Sequence, residues 1–411
     1  MKTNKSPLSK YQWLVVAIIA LTQFTVVLDF MVMSPLGDLL MKDLQVKPYQ
    51  FGIVVSSYAL AAGLSGFLTA GFADRFDRKR LLVFFYSGFI IGTLFCGLAK
   101  SYEQLVMARI FTGIFGGVMS SISMAIVADL FSLQQRGRVM GFMQMGFGLS
   151  QILGIPISLY IASKSSWQMP FYMIVGLSIL MLTAILLALK PVRAHLDKKT
   201  DRSAFHHLLA TVKNRNYRIG FMATAFMSLG GYFMMPWGSA FAVNNVGISQ
   251  KELPFLFMVV GIFTFMIMPI IGLLADKINK FQLFMTASLV MIASVLVYVH
   301  LGETTLFVLI VVNIFMMSGI MARMVPSQAL TSSVPELHDR GAFMSINASL
   351  QQIAGGIAAI IGGKIVWQAS PSAPLMNFDL LGYVVVGVII INIYLTRRVY
   401  LYVDRKNKEA A

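Results

Sequence analysis

Apolar residues run through this chain in long stretches separated by short charged loops. A membrane-crossing helix needs about 20 mostly apolar residues. Twelve runs reach that length: 12–40, 51–73, 81–99, 105–128, 139–162, 169–189, 219–243, 253–275, 281–301, 305–333, 342–367 and 380–396. Helices are the spanning structure this pattern predicts, because the short alternating segments of a barrel are missing. The first run is too long for a cleaved signal peptide, and no Ala-x-Ala site follows it.

Composition narrows the class. Of 411 residues, 57 % are hydrophobic and only 12 % charged, where a soluble domain carries roughly a quarter charged. Soluble enzymes, disordered chains and disulfide scaffolds are excluded. The single cysteine, Cys96, lies in an apolar run, which leaves no internal disulfide and no metal cluster to expect. The net charge of +16 could suggest nucleic acid, but the basic residues fall on one side of the predicted spans. With the N-terminus inside, inner segments hold 25 Lys/Arg and outer segments six. That asymmetry over short loops places both termini in the cytoplasm. The basic residues then face anionic lipid, and nucleic acid is not an expected partner.

The long charged loop 190–218 divides the spans six to six and reads as a linker between two units, 1–189 and 219–411. The units repeat. Met33-Ser34-Pro35-Leu36-Gly37 recurs as Met234-Met235-Pro236-Trp237-Gly238, 201 positions on. Asp74-Arg75 recurs as Asp276-Lys277 at an offset of 202, and Arg136-Gly137 as Arg340-Gly341 at 204. Repeats of this kind place a substrate site near the midplane, between the halves.

The loop between spans 2 and 3 reads Ala70-Gly71-Phe72-Ala73-Asp74-Arg75-Phe76-Asp77-Arg78-Lys79-Arg80, and its second copy Gly272-Leu273-Leu274-Ala275-Asp276-Lys277-Ile278-Asn279-Lys280. With Ser57-Tyr58-Ala59-Leu60 in span 2 and Arg109-x-x-x-Gly113 in span 4, the chain resembles the major facilitator superfamily over nearly its whole length. Within that family it looks most like the bacterial twelve-helix drug:proton antiporter and sugar-efflux-like branch. The departures from the family's G-x-L-A-D-R-x-G-R-K pattern are Ala70 and Asp77, each in place of a glycine. The resemblance implies an all-α integral membrane fold of twelve helices in two pseudo-symmetric six-helix bundles. It also implies that Asp74, Arg78 and Asp129 form a latch stabilising the outward-facing state. Charge-assisted bonds between these three helix ends would supply it, while the plainer reading is ordinary loop anchoring.

Asp29 is the only charge in residues 11–37. A carboxylate within a span costs about 2.5–3.5 kcal/mol and usually faces the bundle interior. Burial disfavours its charged form and a nearby cation favours it, which is the physical basis for exchanging a proton against a substrate. Alternatively span 1 ends early, near Pro35, and Asp29 meets headgroups. Arg109 lies ~30 Å from the inner end of span 4, and Asp29 ~24 Å along span 1. The two therefore fall at similar depth, and a buried guanidinium wants a carboxylate. Snorkelling to the outer headgroups is the alternative for Arg109. In many antiporters of the resembled family this arginine takes part in proton transfer.

Arg323 falls near the midplane of span 10, ~15 Å from its inner end. It either faces the central cavity, where it would favour an anionic or zwitterionic group, or serves as a structural partner for carbonyls near Pro326. Tyr58, Gln144, Tyr232, Trp237, Asn347 and Gln351 are further candidate substrate contacts, with Gln23, Gln151, Asn313 and Gln328 as other polar residues inside spans; each can equally be interhelical glue. Gly154 and Pro156 in span 5 sit where family antiporters carry a Gly-Pro-rich signature, and they permit a bend. His206-His207 has no further ligands in sequence, and no Walker motif is present.

The expectation is a proton-coupled secondary transporter for a small organic molecule, with export favoured, Asp29 as proton carrier, Arg109 as its modulator and Arg323 as a substrate contact. A metabolite symporter or a lipid or lysolipid transporter without ion coupling is the alternative. No enzyme activity, cofactor or metal is expected. The partners are substrate, protons and membrane lipid. The chain is expected to act as a monomer in a bacterial inner membrane.

Overall fold

The computed structural model describes residues 8–69, 76–193, 204–336 and 338–410. Twelve helices among them are long and apolar enough to cross a membrane: Lys10–Val32, Pro48–Thr69, Arg78–Leu98, Tyr102–Leu130, Gln135–Lys164, Met169–Ala188, Arg218–Asn244, Leu253–Lys277, Lys280–Val299, Leu306–Thr331, Arg340–Ile365 and Phe378–Lys406. They are spans 1 to 12 below. The only β pairing among the described residues is an isolated bridge, Trp367 to Met376. An even number of crossings brings both termini to one face, called here the terminal face; the opposite end is the far face.

Local chemistry sets the ends of the spans. Ser9 begins span 1 with a capping box closed by Gln12. Asp77 caps span 3, its Oδ1 accepting from the Lys79 amide at 2.9 Å. Asn279, 202 positions on, caps span 9 in the same way through Phe281, also at 2.9 Å. The sequence repeat therefore extends to the capping atoms, and a capping carboxylate explains Asp77 where a glycine was expected.

Span 1 is shorter than the run 12–40. Its helix stops at Val32, turns over Met33–Leu36 and resumes as Gly37–Asp43. Span 7 breaks at the equivalent place, with a 3₁₀ turn Met235–Trp237 before Gly238–Asn244. Pro35 and Pro236 lack the amide needed to continue an α-helix. In span 5 the helix widens to a π turn over Ser150–Gly154 just before Pro156, and the Ile155 amide reaches back to Ser150. A proline at 156 supplies no amide for the preceding turn, which the wider turn accommodates. Span 12 continues well past the apolar run, as helix Phe378–Ala410, because its last turns are polar and lie at the terminal face.

Lipid is as apolar as leucine, so these helices associate by close packing at small residues rather than by burying apolar area. A Cβ on Gly117 of span 4 would lie 2.4 Å from Ala62 Cα of span 2. A Cβ on Gly52 of span 2 would lie 2.5 Å from the Ala359 carbonyl of span 11, which belongs to the other bundle. Spans 2 and 11 thus pack backbone to backbone across the interface between the bundles.

The linker touches both bundles. Asp77 Oδ2 accepts from Arg193 Nε at 2.8 Å and Oδ1 from the Val192 amide at 3.2 Å, which fixes the start of the linker beside span 3. Burial alone would raise the Asp77 carboxyl, but Arg193 and the amides of Val192 and Lys79 outweigh it and hold it below the usual carboxylate range. The helix Ala204–Lys213 lies against the terminal end of the other bundle, where Leu208 packs with Tyr217, Phe221, Val334 and Phe343. His207 Nε2 stands 3.3 Å from Asp339 Oδ1 and His338 Nε2 3.4 Å from Asp339 Oδ2, so His207 has neighbours that its place in sequence did not show.

Gly117→Val must displace backbone in span 2, and overpacking of this kind costs about 1–3 kcal/mol. It is expected to lower the melting temperature of the purified protein, whereas Gly176→Ala, whose Cβ meets nothing within 4 Å, leaves it unchanged. Asp77→Ala is expected to speed tryptic cleavage of the linker. A carboxylate held low is stabilising above its unfolded value and loses that contribution only as pH falls through its lower folded value. The wild-type cleavage susceptibility, corrected for protease activity, is therefore expected to stay flat from about pH 5 to pH 8.

Candidate functional site

Asp29, about one turn before the break in span 1, and Arg109, within the first helix of span 4, face each other inside the N-terminal bundle. Arg109 Nη1 donates to Asp29 Oδ2 at 2.8 Å. The residues are 0 % and 1 % exposed, which excludes the headgroup positions open to both. Thr93 of span 3 donates to the second carboxylate oxygen at 3.1 Å. Three helices therefore converge on one carboxylate: span 1 supplies it, and spans 3 and 4 supply its donors. Breaking a buried ion pair by removing one partner costs several kcal/mol, because the remaining charge has no solvent. Among the described residues Arg109 Nε has no hydrogen-bond partner; Nη1 is spent on Asp29, Cys96 is a further polar neighbour, and one face of the guanidinium is packed against carbon.

That carbon is Tyr58. The Arg109 Cζ lies 4.4 Å from the centroid of its ring, within range for a cation–π contact. The motif Arg109-x-x-x-Gly113 acquires a physical reason here. A Cβ on Gly113 would stand 2.5 Å from the Tyr58 carbonyl, and one on Gly116 would stand 2.5 Å from the Tyr58 hydroxyl. Only with glycine at both positions can span 2 come close enough for the ring to cover the guanidinium one turn away. On its other side Tyr58 faces Phe30 at 5.3 Å between centroids, and Phe30 faces Tyr232 of span 7 at 6.0 Å. An aromatic layer thus separates the ion pair from the opposite bundle.

Three residues that sequence reading did not propose for the site, Thr93, Cys96 and Thr112, complete this pocket. Cys96 is fully buried one turn beyond Thr93, and its Sγ lies 3.7 Å from the Thr112 hydroxyl. Thr112 in turn bonds the Ala108 carbonyl at 2.7 Å. Threonine is common in apolar spans, and the signal that could have found Thr93 and Thr112 is their spacing with Cys96 and Arg109 on facing helices.

Arg323 is placed differently. It is 1 % exposed, and its partners all belong to the C-terminal bundle. Nη1 contacts Met291 Sδ at 2.9 Å, Nη2 donates to Asn392 Oδ1 at 3.1 Å, and Cζ lies 5.2 Å from the Phe284 ring. Asn392 is itself anchored, donating to the Ala223 carbonyl at 2.8 Å. Among the described residues Arg323 has no carboxylate partner, so spans 7, 9, 10 and 12 hold a cation with neutral groups alone.

The other candidates scatter. Tyr232 packs against Gly355 and the aromatic layer. Trp237 is fully buried near the far face, donating to the Phe233 carbonyl at 3.1 Å and packing on Phe51. Among the described residues Asn347 is buried with Oδ1 unpaired, Gln351 is half-buried and Gln144 exposed. At the terminal face Arg78 Nε and Asp129 Oδ2 are 3.2 Å apart, joining spans 3 and 4; Asp74, the third member of the predicted latch, lies outside the described residues.

Residues 19–359 match the sequence profile of the Major Facilitator Superfamily. The chain is 33 % identical over 152 residues to Multidrug resistance protein 3 of Bacillus subtilis (strain 168); the match covers 37 % of this chain and only 30 % of that relative. It is 25 % identical over 357 residues to the MFS-type transporter YbcL of the same organism, covering 86 % of this chain and 89 % of the relative. Its fold is similar to that of a D-xylose-proton symporter, with a TM-score of 0.76 at 17 % identity over 93 % of this chain and 97 % of that one. With that profile matched across most of its length, and with twelve spans in two bundles related by a repeat, the chain belongs to the Major Facilitator Superfamily.

Proposed function

We propose that this transporter is proton-coupled and exports a small amphipathic or polar organic molecule by alternating access, with Asp29 as the proton site. The observation that carries the reading is the Asp29–Arg109 pair at 2.8 Å, sealed from the opposite bundle by Tyr58. A carboxylate this deep stays ionised only while a cation and hydrogen-bond donors face it. Any movement of span 1 against span 4 that separates Asp29 from Arg109 leaves a charge which a proton neutralises. Arg109 stays charged throughout, so it decides when the proton is held rather than carrying it. Substrate enters the coupling through the aromatic layer: a molecule wedged against Phe30, Tyr58 or Tyr232 shifts the ring that packs on the guanidinium. Arg323, held by neutral partners, is a candidate contact for an anionic substrate group in a state where span 10 or 12 has moved. Arg78 and Asp129 are proposed as the conformational latch at the terminal face.

Direction is read from the relatives. The relative matched over 152 residues is by name a multidrug resistance protein, which supports export. The symporter sharing the fold at 17 % identity leaves uptake as the second reading. The distribution of Lys and Arg supports placing the terminal face in the cytoplasm, and the Bacillus relatives support a bacterial plasma membrane. A monomer holds the whole arrangement.

Ligands that bind the native state raise its apparent stability. A thermal-shift panel of lipophilic cations, sugars, amino acids, organic anions and lysolipids, run at pH 6 and pH 8, is expected to yield a ligand bound more tightly at pH 8. That pH dependence is expected to vanish in Asp29→Asn. A pH dependence that persists unchanged in Asp29→Asn, or tighter binding at pH 6, would sink the antiport reading. The role of the ring is tested separately. In liposomes loaded with a pH-sensitive dye, Tyr58→Phe is expected to keep the membrane proton-tight and Tyr58→Ala to leak protons without substrate; equal tightness of both would show that the ring does not seal the pair.

A further inference from the structure

At the far face the two bundles meet through one buried carboxylate that the Asp29 reading does not use. Asp38 follows the break in span 1 and is 0 % exposed. Its Oδ2 accepts from Lys42 Nζ at 2.8 Å, one turn along the same helix. Its other contacts cross to the C-terminal bundle. Oδ1 accepts from Asn244 Nδ2 at 2.6 Å, and Gln250 Nε2 donates to Oδ2. The Asp38 amide donates to the Ser239 hydroxyl at 3.4 Å, which donates onward to the Ser34 carbonyl at 3.0 Å. Asn244 Oδ1 also accepts from Lys42 at 3.1 Å, so one amide serves both members of the ion pair. The neighbouring Asp43 is turned away and held by the Trp167 indole at 2.7 Å.

The arrangement follows from the repeat. Ser239 is the counterpart of Asp38 at the offset of 201 that relates Pro35 to Pro236. The two helix breaks face each other, with a Cβ on Gly37 only 3.1 Å from the Pro236 carbonyl. Positions equivalent in the two halves therefore touch, and the carboxylate sits on one half only. Everything the C-terminal bundle offers is neutral. If the far face opens, Asp38 keeps Lys42 and exchanges two amides and a hydroxyl for water. Bonds to an ionised acceptor are strong while dry, and water replaces them once the face is wet.

We propose that Asp38 is the positioning residue that closes the far face, read by Ser239, Asn244 and Gln250, and that its engagement sets the fraction of molecules closed there. The amide at position 244 donates to the carboxylate through Nδ2 while accepting from the ammonium through Oδ1. Asp at 244 loses that donor and opposes a second carboxylate to Asp38. This rests on the alternating-access reading above and is independent of proton transfer at Asp29.

The test is a distance measured by pulsed electron resonance between spin labels at Lys47→Cys and Lys251→Cys, two exposed positions on opposite bundles, in lipid nanodiscs. Cys96 is fully buried and stays unlabelled. Asn244→Asp is expected to raise the long-distance population severalfold over the wild-type background. The exchange Asp38→Asn with Asn244→Asp moves the acceptor to the other bundle with Lys42 still in reach, and is expected to restore the short distance. A wild-type distribution in Asn244→Asp, or an exchange variant as open as the single one, overturns the proposal. If Asn244→Asp does not fold, Gln250→Ala and Ser239→Ala remove donors without adding charge; an unchanged distribution in both overturns it equally. The readout needs neither substrate nor a proton gradient, so its failure and that of the Asp29 test are separate results.

Discussion

A full charge inside a lipid-embedded bundle must be answered by another group, and the N-terminal bundle is arranged around one such demand. Asp29 is answered by Arg109 and Thr93, and Arg109 by Asp29 and the Tyr58 ring. The small residues of span 4 follow from that requirement. Gly113 and Gly116 admit span 2 closely enough for Tyr58 to reach the guanidinium, and Gly117 continues the same approach one residue on. Span 3 brings Thr93 and Cys96 to the same pocket. The pair therefore links four helices, and moving any one of them changes the surroundings of a charge.

The two bundles share a backbone plan and differ in charge. Their agreement is seen in the paired proline breaks of spans 1 and 7 and in the Asp77 and Asn279 caps of spans 3 and 9. Their difference is that the N-terminal bundle holds a matched ion pair, whereas the C-terminal bundle holds Arg323 among Met291, Asn392 and Phe284. A neutral environment costs a cation more than a carboxylate does. Among the described residues Arg323 therefore lacks the ionic partner that fixes Arg109. The far face repeats the asymmetry, with the carboxylate of Asp38 on one half and amides on the other.

The linker belongs to both sides of this scheme. Its first residues bond to Asp77 beside span 3, and its helix packs through Leu208 on the terminal end of the C-terminal bundle. It is anchored at Val192 and Arg193 on one side and at Leu208 on the other.

Length and hydropathy are properties of the chain in one dimension, and so the twelve spans, the six-to-six division and the repeat were legible from sequence. Depth is nearly so, because each helical residue advances by a fixed rise; that arithmetic set Asp29 and Arg109 at one level before any contact was known. Rotation about a helix axis is not one-dimensional. It decided that Thr93 faces Asp29, that Tyr58 lies across Arg109, and that Arg323 turns to Met291 and Asn392. Asp38 lies near the end of the apolar run 12–40, and nothing in the sequence singles it out. Only the packing of two proline breaks against each other buried it and brought Ser239, Asn244 and Gln250, some two hundred residues away, within hydrogen-bond reach.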